Sequence, residues 1–131
     1  MNTFAFVGRS PWYNAPKQDF LGLMSEWNGY VAIEKDLDPA DCDYDKLNDL
    51  LGCDYPHGGV TFAEFGYNIP QEVLNNYEQD NDLININWDD YVIYGFDTLH
   101  YGDNRDMWPK DKVFFEAECF EQNLINLINI L

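Results

Sequence analysis

A stripe of apolar residues at helical spacing, in the carboxyl-terminal part of the chain, is the feature that most restricts the fold. From Pro109 onward, apolar side chains recur at steps of three and four residues, which places them along one side of an α-helix. The stripe consists of Val113, Ala117, Phe120, Leu124, Leu127, Ile128 and Leu131. Because such a helix must bury its apolar side against another layer, the pattern predicts a long closing helix packed on a sheet.

Two further helices are predicted in the first half of the chain. Helical spacing indicates one from Pro16 to Trp27, ended by Asn28 and Gly29, which tolerate a left-handed cap. The pair Asp38-Pro39 is typical of a helix start, and Gly52 is typical of a helix end. A second helix is therefore expected between these two points.

Three strands are predicted from β-branched and aromatic runs, at residues 30–34, 59–65 and 90–96. A short helix, Gln71 to Tyr77, lies between the last two strands. The expected fold class is α+β, a small and mainly antiparallel sheet covered on one face by helices, with the long helix at the carboxyl terminus. At 131 residues, with no linker or repeat, the chain is expected to form a single domain over residues 1–131.

The two histidines of the chain each lie in a cluster of turn-forming residues. Histidine titrates near neutral pH, so these clusters are the first place to look for chemistry or ligand recognition. A ligand-binding site is therefore a hypothesis for His57, Gly58, Gly59, Asp97, His100 and Asp103. Asp97, His100 and Asp103 also have ligand types that suit a divalent metal ion, although their spacing matches no particular metal motif and no cofactor is otherwise expected.

The direction of two strands decides whether these clusters meet. If strands 59–65 and 90–96 are antiparallel neighbours, the start of one adjoins the end of the other, and one site can form. If they are parallel, about 17 Å of strand separates the clusters. In the alternative interpretation, the acids cap turns, and the glycines serve backbone conformations with positive φ. No motif specifies a reaction, so enzymatic activity stays open.

The charge of the chain restricts its partners. It has 24 Asp and Glu residues against 7 Lys and Arg, a net charge of −17, which disfavours direct binding to nucleic acid or to an anionic membrane. Three cysteines form no C-x-x-C pair, and no signal peptide or membrane-spanning stretch is recognisable. A cytoplasmic protein is expected. The aromatic content of 17% exceeds what a core of this size needs and is compatible with a homodimer.

The paired motifs at residues 57–62 and 95–103, with Asn28-Gly29 upstream and a Glu-rich helix downstream, resemble a family of small uncharacterised proteins of bacteriophages and mobile elements. The resemblance extends from about Trp27 to Asn123. That family commonly has Cys-Ala where this chain has Thr98-Leu99. The resemblance implies a phage-type origin but no particular mechanism, because no activity is established for that family. Phage accessory proteins of this size often bind host defence components, and on this general ground a counter-defence role in the cytoplasm of a host cell is expected.

An acidic stretch between Lys35 and Asp54 supplies the mechanism that such a role requires. Fixed carboxylates can imitate the phosphates of a duplex, which lie about 1.7 Å apart along its axis, and so occupy the basic groove of a nucleic-acid-binding host protein. The partner-binding residues predicted on this basis are Asp36, Asp38, Asp41, Asp43, Asp45, Asp49 and Asp54. The ligand site built on the histidine clusters, for a small molecule such as a nucleotide or for a hydrolase reaction, is the alternative function.

Overall fold

A computed structural model describes residues 2–10, 26–98 and 107–131 of the protein. At its centre lies a sheet of four strands, in the order β1-β2-β4-β3, in which every pair of neighbours is antiparallel. The strands are β1 (Thr3–Arg9), β2 (Trp27–Glu34), β3 (Phe62–Phe65) and β4 (Tyr91–Phe96).

The α-helices are α1 (Tyr44–Leu51), α2 (Gln71–Asp80) and α3 (Lys110–Ile130). Short 3-10 helices occur at Lys35–Leu37, Gly52–Asp54, Gly66–Asn68 and Trp88–Asp90. The predicted α+β class, the antiparallel sheet and the long carboxyl-terminal helix are therefore confirmed. The apolar stripe of α3 explains its place, because Val113, Ala117, Phe120 and Leu124 are buried.

Strand alternation divides the core into two parts. Side chains such as Val31, Tyr94 and Phe96 point to the sheet face that α3 and α1 cover. Their neighbours along the strands, such as Tyr30 and Ile93, point to the opposite face, where α2 and Trp88 lie. The rings of Phe6 and Tyr30 are stacked there, with centroids 5.2 Å apart.

The predicted end of the first helix is wrong. Residues 11–25 lie outside the described residues, but Trp27, Asn28 and Gly29 belong to strand β2. The sequence signal at Gly29 has another physical cause. A Cβ atom at this position would overlap the ring of Phe96 on the neighbouring strand, so the glycine permits close packing within the sheet and does not cap a helix.

The predicted start of the second helix is also wrong, whereas its end at Gly52 is confirmed. Helix α1 begins at Tyr44, and the Asp43 carboxylate accepts hydrogen bonds from the backbone N–H groups of Asp45 and Lys46. Asp43 is therefore the N-cap, because its side chain satisfies amides that lack a partner within the helix. Gly52 ends the helix with φ of 60°.

Strand β1 is the element that the sequence patterns did not predict. It forms an edge of the sheet, and its outer backbone is protected because Val7 exchanges hydrogen bonds with the side-chain amide of Asn81 at 2.9 and 2.7 Å. Among the described helices, none combines the length and the apolar composition that crossing a membrane requires.

Candidate functional site

The two motif segments meet at one edge of the sheet. Strands β3 and β4 are antiparallel, with Phe62 opposite Gly95, so the direction on which a shared site depends is confirmed. The backbone N–H of Thr61 donates to the carbonyl oxygen of Gly95 at 2.8 Å. The Thr61 hydroxyl donates to the Asp97 carboxylate at 3.1 Å. Asp97 therefore lies next to the segment that contains the first histidine cluster.

His57 is held by the carboxyl-terminal helix. Its backbone N–H donates to the Glu116 carboxylate at 3.0 Å, and its half-buried ring lies 4.3 Å from the ring of Trp108, measured between centroids. Shortly before His57 in the chain, the carbonyl oxygen of Asp54 accepts a hydrogen bond from the Asn123 side chain at 3.1 Å. The imidazole thus packs on an aromatic ring, and the segment 54–57 is fixed along α3 at two points.

Two members of the predicted ligand site fall in a part of the chain that is not described. His100 and Asp103 lie outside the described residues. Within the described ranges, no group of three or more His, Cys, Asp or Glu residues is arranged to hold a metal ion.

Gly58 and Gly59 form a turn. Both have positive φ, 70° and 84°, and the N–H of Gly59 donates to the carbonyl oxygen of Pro56 at 2.7 Å. Such φ values favour glycine because a Cβ atom would be strained there. This geometry is the one expected from the turn interpretation of the cluster.

The seven predicted partner-binding aspartates lie in one stretch of chain, which we call the acidic surface. It extends from the 3-10 helix Lys35–Leu37 through the following turn and α1 to the 3-10 helix Gly52–Asp54. Three of the aspartates have structural roles. Asp43 caps α1, and Asp41 forms an ion pair with Lys46 at 3.0 Å. Asp38 is half-buried and accepts hydrogen bonds from the N–H groups of Ala40 and Cys42 and from the Tyr94 hydroxyl.

The other four carboxylates of the acidic surface are exposed to solvent. Throughout the described part of the chain, no hydrogen bond or ion pair satisfies their side chains. These residues are Asp36, Asp45, Asp49 and Asp54. Their charges are therefore available to a partner, because folding has not used them.

A depression of about 590 Å³ joins the acidic surface to the turn of the first histidine cluster. Its lining consists of Asn48, Asp49, Gly52, Tyr55, Gly58 and Gly59. The Asn48 side-chain amide is fixed by two hydrogen bonds with the backbone of Val60, each 2.8 Å long. Sequence patterns did not predict this depression, because Asn48 and Tyr55 come together with the glycines only in the folded protein.

Sequence patterns also did not predict a buried polar group on the sheet face that α2 covers. The side-chain oxygen of Asn28 has no hydrogen-bond partner within the described residues, although the residue is only 8% exposed. Burial raises the pKa of Tyr30 next to it, and hydrogen bonds with Tyr77 and Asn28 partly oppose this rise. The strand pattern around Tyr30 does not predict which polar group its hydroxyl contacts, because the contact with Tyr77 depends on how α2 packs on the sheet.

Burial also affects Cys42, next to the acidic surface. Desolvation, followed by the charges of Glu64, Asp38 and Asp43, raises the pKa of the Cys42 thiol to about 11. The thiol is therefore protonated at neutral pH and is a poor nucleophile.

Comparisons with protein-family models, curated proteins and solved structures gave no match for this chain.

Proposed function

We propose that this protein is a phage-type accessory protein that acts in the cytoplasm of a host cell, where it binds a basic host protein through the acidic surface and neutralises it. The partner class is a nucleic-acid-binding protein, such as a defence enzyme, whose cationic groove receives carboxylates in place of phosphates. In this role the protein acts by occupying a site and needs no catalytic residue of its own.

One observation carries this proposal, the exposure of Asp36, Asp45, Asp49 and Asp54 without a partner in the described residues. Four unpaired carboxylates within one short stretch repel one another, and a cationic partner relieves that repulsion on binding. The stretch also packs firmly, because Leu47 and Leu51 of α1 are buried in the core that contains α3. A fixed array loses little conformational entropy when a partner binds.

The experiment is a capture from host lysate with matched variants. The binding variant carries Asp45→Asn, Asp49→Asn and Asp54→Asn. A control variant has the same change in net charge but is altered on the elements that cover the sheet face opposite α1, at the exposed residues Glu72, Asp82 and Asp89, by E72Q, D82N and D89N. We expect wild type and control to retain one basic protein at low salt, and the binding variant to lose it. Equal retention by both variants would contradict the proposal.

A second candidate function is the ligand site at the β3–β4 edge. It is favoured by the hydrogen bond between Thr61 and Asp97, which brings the segments of the two clusters together. If this site binds a small molecule such as a nucleotide, or catalyses a hydrolase reaction, Asp97→Ala and His100→Ala should each abolish that binding or reaction without loss of thermal stability. A loss of stability like that of a core deletion in both variants would indicate a structural role instead.

A further inference from the structure

The depression beside α1 has a composition that suits a cation. Asp49 contributes an exposed carboxylate that has no partner in the described part of the chain, and Tyr55, a residue that is 51% exposed, contributes an aromatic ring. Among the described residues that line the depression, none is cationic. In a protein of net charge −17, such a site repels phosphates and other anions.

The size and rigidity of the depression suit a side chain together with a short length of backbone. Its volume of about 590 Å³ lies inside the range of ~300–1,000 Å³ that is typical of ligand pockets. Three of the lining residues, Gly52, Gly58 and Gly59, have positive φ and no side chain to fill the space. The paired hydrogen bonds between Asn48 and Val60 hold one wall in place before a ligand arrives.

We propose that this depression binds an arginine side chain of the basic partner. The guanidinium group forms hydrogen bonds with a carboxylate in a fixed plane and stacks on aromatic rings, and Asp49 and Tyr55 offer these two partners. A lysine ammonium group makes a weaker match, because it is a strongly hydrated point charge without a flat face. This proposal rests on the proposed function and adds a selective position to the acidic surface, where the surrounding aspartates attract any cation.

The test is an NMR titration of the full-length protein with hexaarginine and, separately, with hexalysine, at equal low ionic strength. We expect hexaarginine to bind more tightly and to shift the signals of the Asn48 side-chain amide and of the Gly58 and Gly59 amides most. Asp49→Asn should weaken hexaarginine binding about fivefold. Asp36→Asn removes the same charge outside the depression and should change binding less than twofold.

Tyr55 supplies a second pair of variants that separates the ring from the hydroxyl. Tyr55→Phe keeps the flat ring and should bind hexaarginine like the wild type, whereas Tyr55→Leu should weaken binding about threefold. Because this side chain is half exposed, both variants are expected to fold, which a far-UV circular dichroism spectrum checks.

The outcomes distinguish the two proposals. Equal binding of the two peptides, with equal effects of D49N and D36N, would overturn the arginine site and leave the acidic surface as a general cation-binding surface. Absence of binding by both peptides at low salt would overturn both proposals.

Discussion

The hydroxyl group of Tyr94 donates a hydrogen bond to the carboxylate of Asp38 across 2.6 Å. Tyr94 belongs to the middle of β4 and is fully buried, whereas Asp38 follows the end of β2 and is half-buried. The same carboxylate accepts hydrogen bonds from two backbone N–H groups of the turn that leads into α1. This one aspartate therefore ties the acidic surface to the core of the protein.

Removal of this carboxylate should destabilise the protein, unlike removal of the exposed and unpaired carboxylate of Asp36. Asp38→Ala leaves the Tyr94 hydroxyl and the two N–H groups without their acceptor, which we expect to lower the free energy of unfolding by about 2–3 kcal/mol. Asp36→Ala, which removes an exposed carboxylate, should change it by less than about 0.5 kcal/mol. Urea denaturation followed by circular dichroism measures both, and equal values would refute the structural role of Asp38.

Stability should fall at alkaline pH in a way that depends on Tyr94. Burial raises the pKa of Tyr94 above its ordinary value of 10.0, and the hydrogen bond and negative charge of Asp38 add to the rise. Because the folded protein holds this proton more tightly than the unfolded chain does, the stabilisation is fully present below pH 10 and is lost progressively above it. The expected slope is at most about 1.4 kcal/mol per pH unit for each such tyrosine.

Tyr94→Phe gives the control for this pH dependence. The variant lacks the hydrogen bond to Asp38 and should be less stable at pH 7, but its stability should decrease less steeply above pH 10. Chemical denaturation between pH 7 and pH 11 yields both curves. Parallel curves for wild type and variant would show that the tyrosine proton does not contribute.

Gly29 should be intolerant of a side chain because of Phe96. A Cβ atom at position 29 would overlap the Phe96 ring on the neighbouring strand, so Gly29→Ala is expected to cost about 1–3 kcal/mol of stability, as in an overpacked core. If the overlap is the cause, Gly29→Ala should cost less in a Phe96→Leu background than in the wild type. A double-mutant cycle by thermal denaturation tests this, and strict additivity would exclude the contact as the cause.

Phe115 and Phe120, two of the phenylalanines on α3, should differ sharply in their contribution to stability. Phe120 is 1% exposed and packs near Phe96, whereas Phe115 is 64% exposed. Phe120→Ala should lower the free energy of unfolding by about 3–5 kcal/mol, and Phe115→Ala by less than about 0.5 kcal/mol. Guanidinium denaturation measures the difference, and similar losses in the two variants would contradict the burial of Phe120 and the exposure of Phe115.

The parts of the fold that sequence patterns predict are those in which local periodicity and burial agree. The stripe of α3 and the run at Tyr91–Phe96 are examples, because one side of the helix and almost the whole strand are buried. Trp27 fits a helical spacing with Met24 yet lies in a strand, since pairing with β1 and β4 overrides a pattern that is only a few residues long. The strand pattern of β1 was missed in the first residues of the chain.

The candidate site likewise has parts that sequence patterns predict and parts that they do not. Sequence patterns predict a mainly antiparallel sheet but leave open the direction of β3 relative to β4, which the structure gives as antiparallel. The exposure of most of the acidic surface follows from local patterns. The structural role of Asp38 does not, because its partner Tyr94 lies 56 residues away. The depression that Asn48 and Tyr55 line also depends on tertiary packing, and a single sequence contains no signal for it.

The most direct test of the acidic surface is the salt dependence of its binding to the captured partner, measured by isothermal titration calorimetry. For the wild type and for the control variant altered at Glu72, Asp82 and Asp89, the logarithm of affinity should fall steeply and equally as the salt concentration rises. For the variant altered at Asp45, Asp49 and Asp54, affinity should be lower and the slope shallower. An unchanged slope in this variant, or a slope near zero in the wild type, would contradict a function based on these carboxylates.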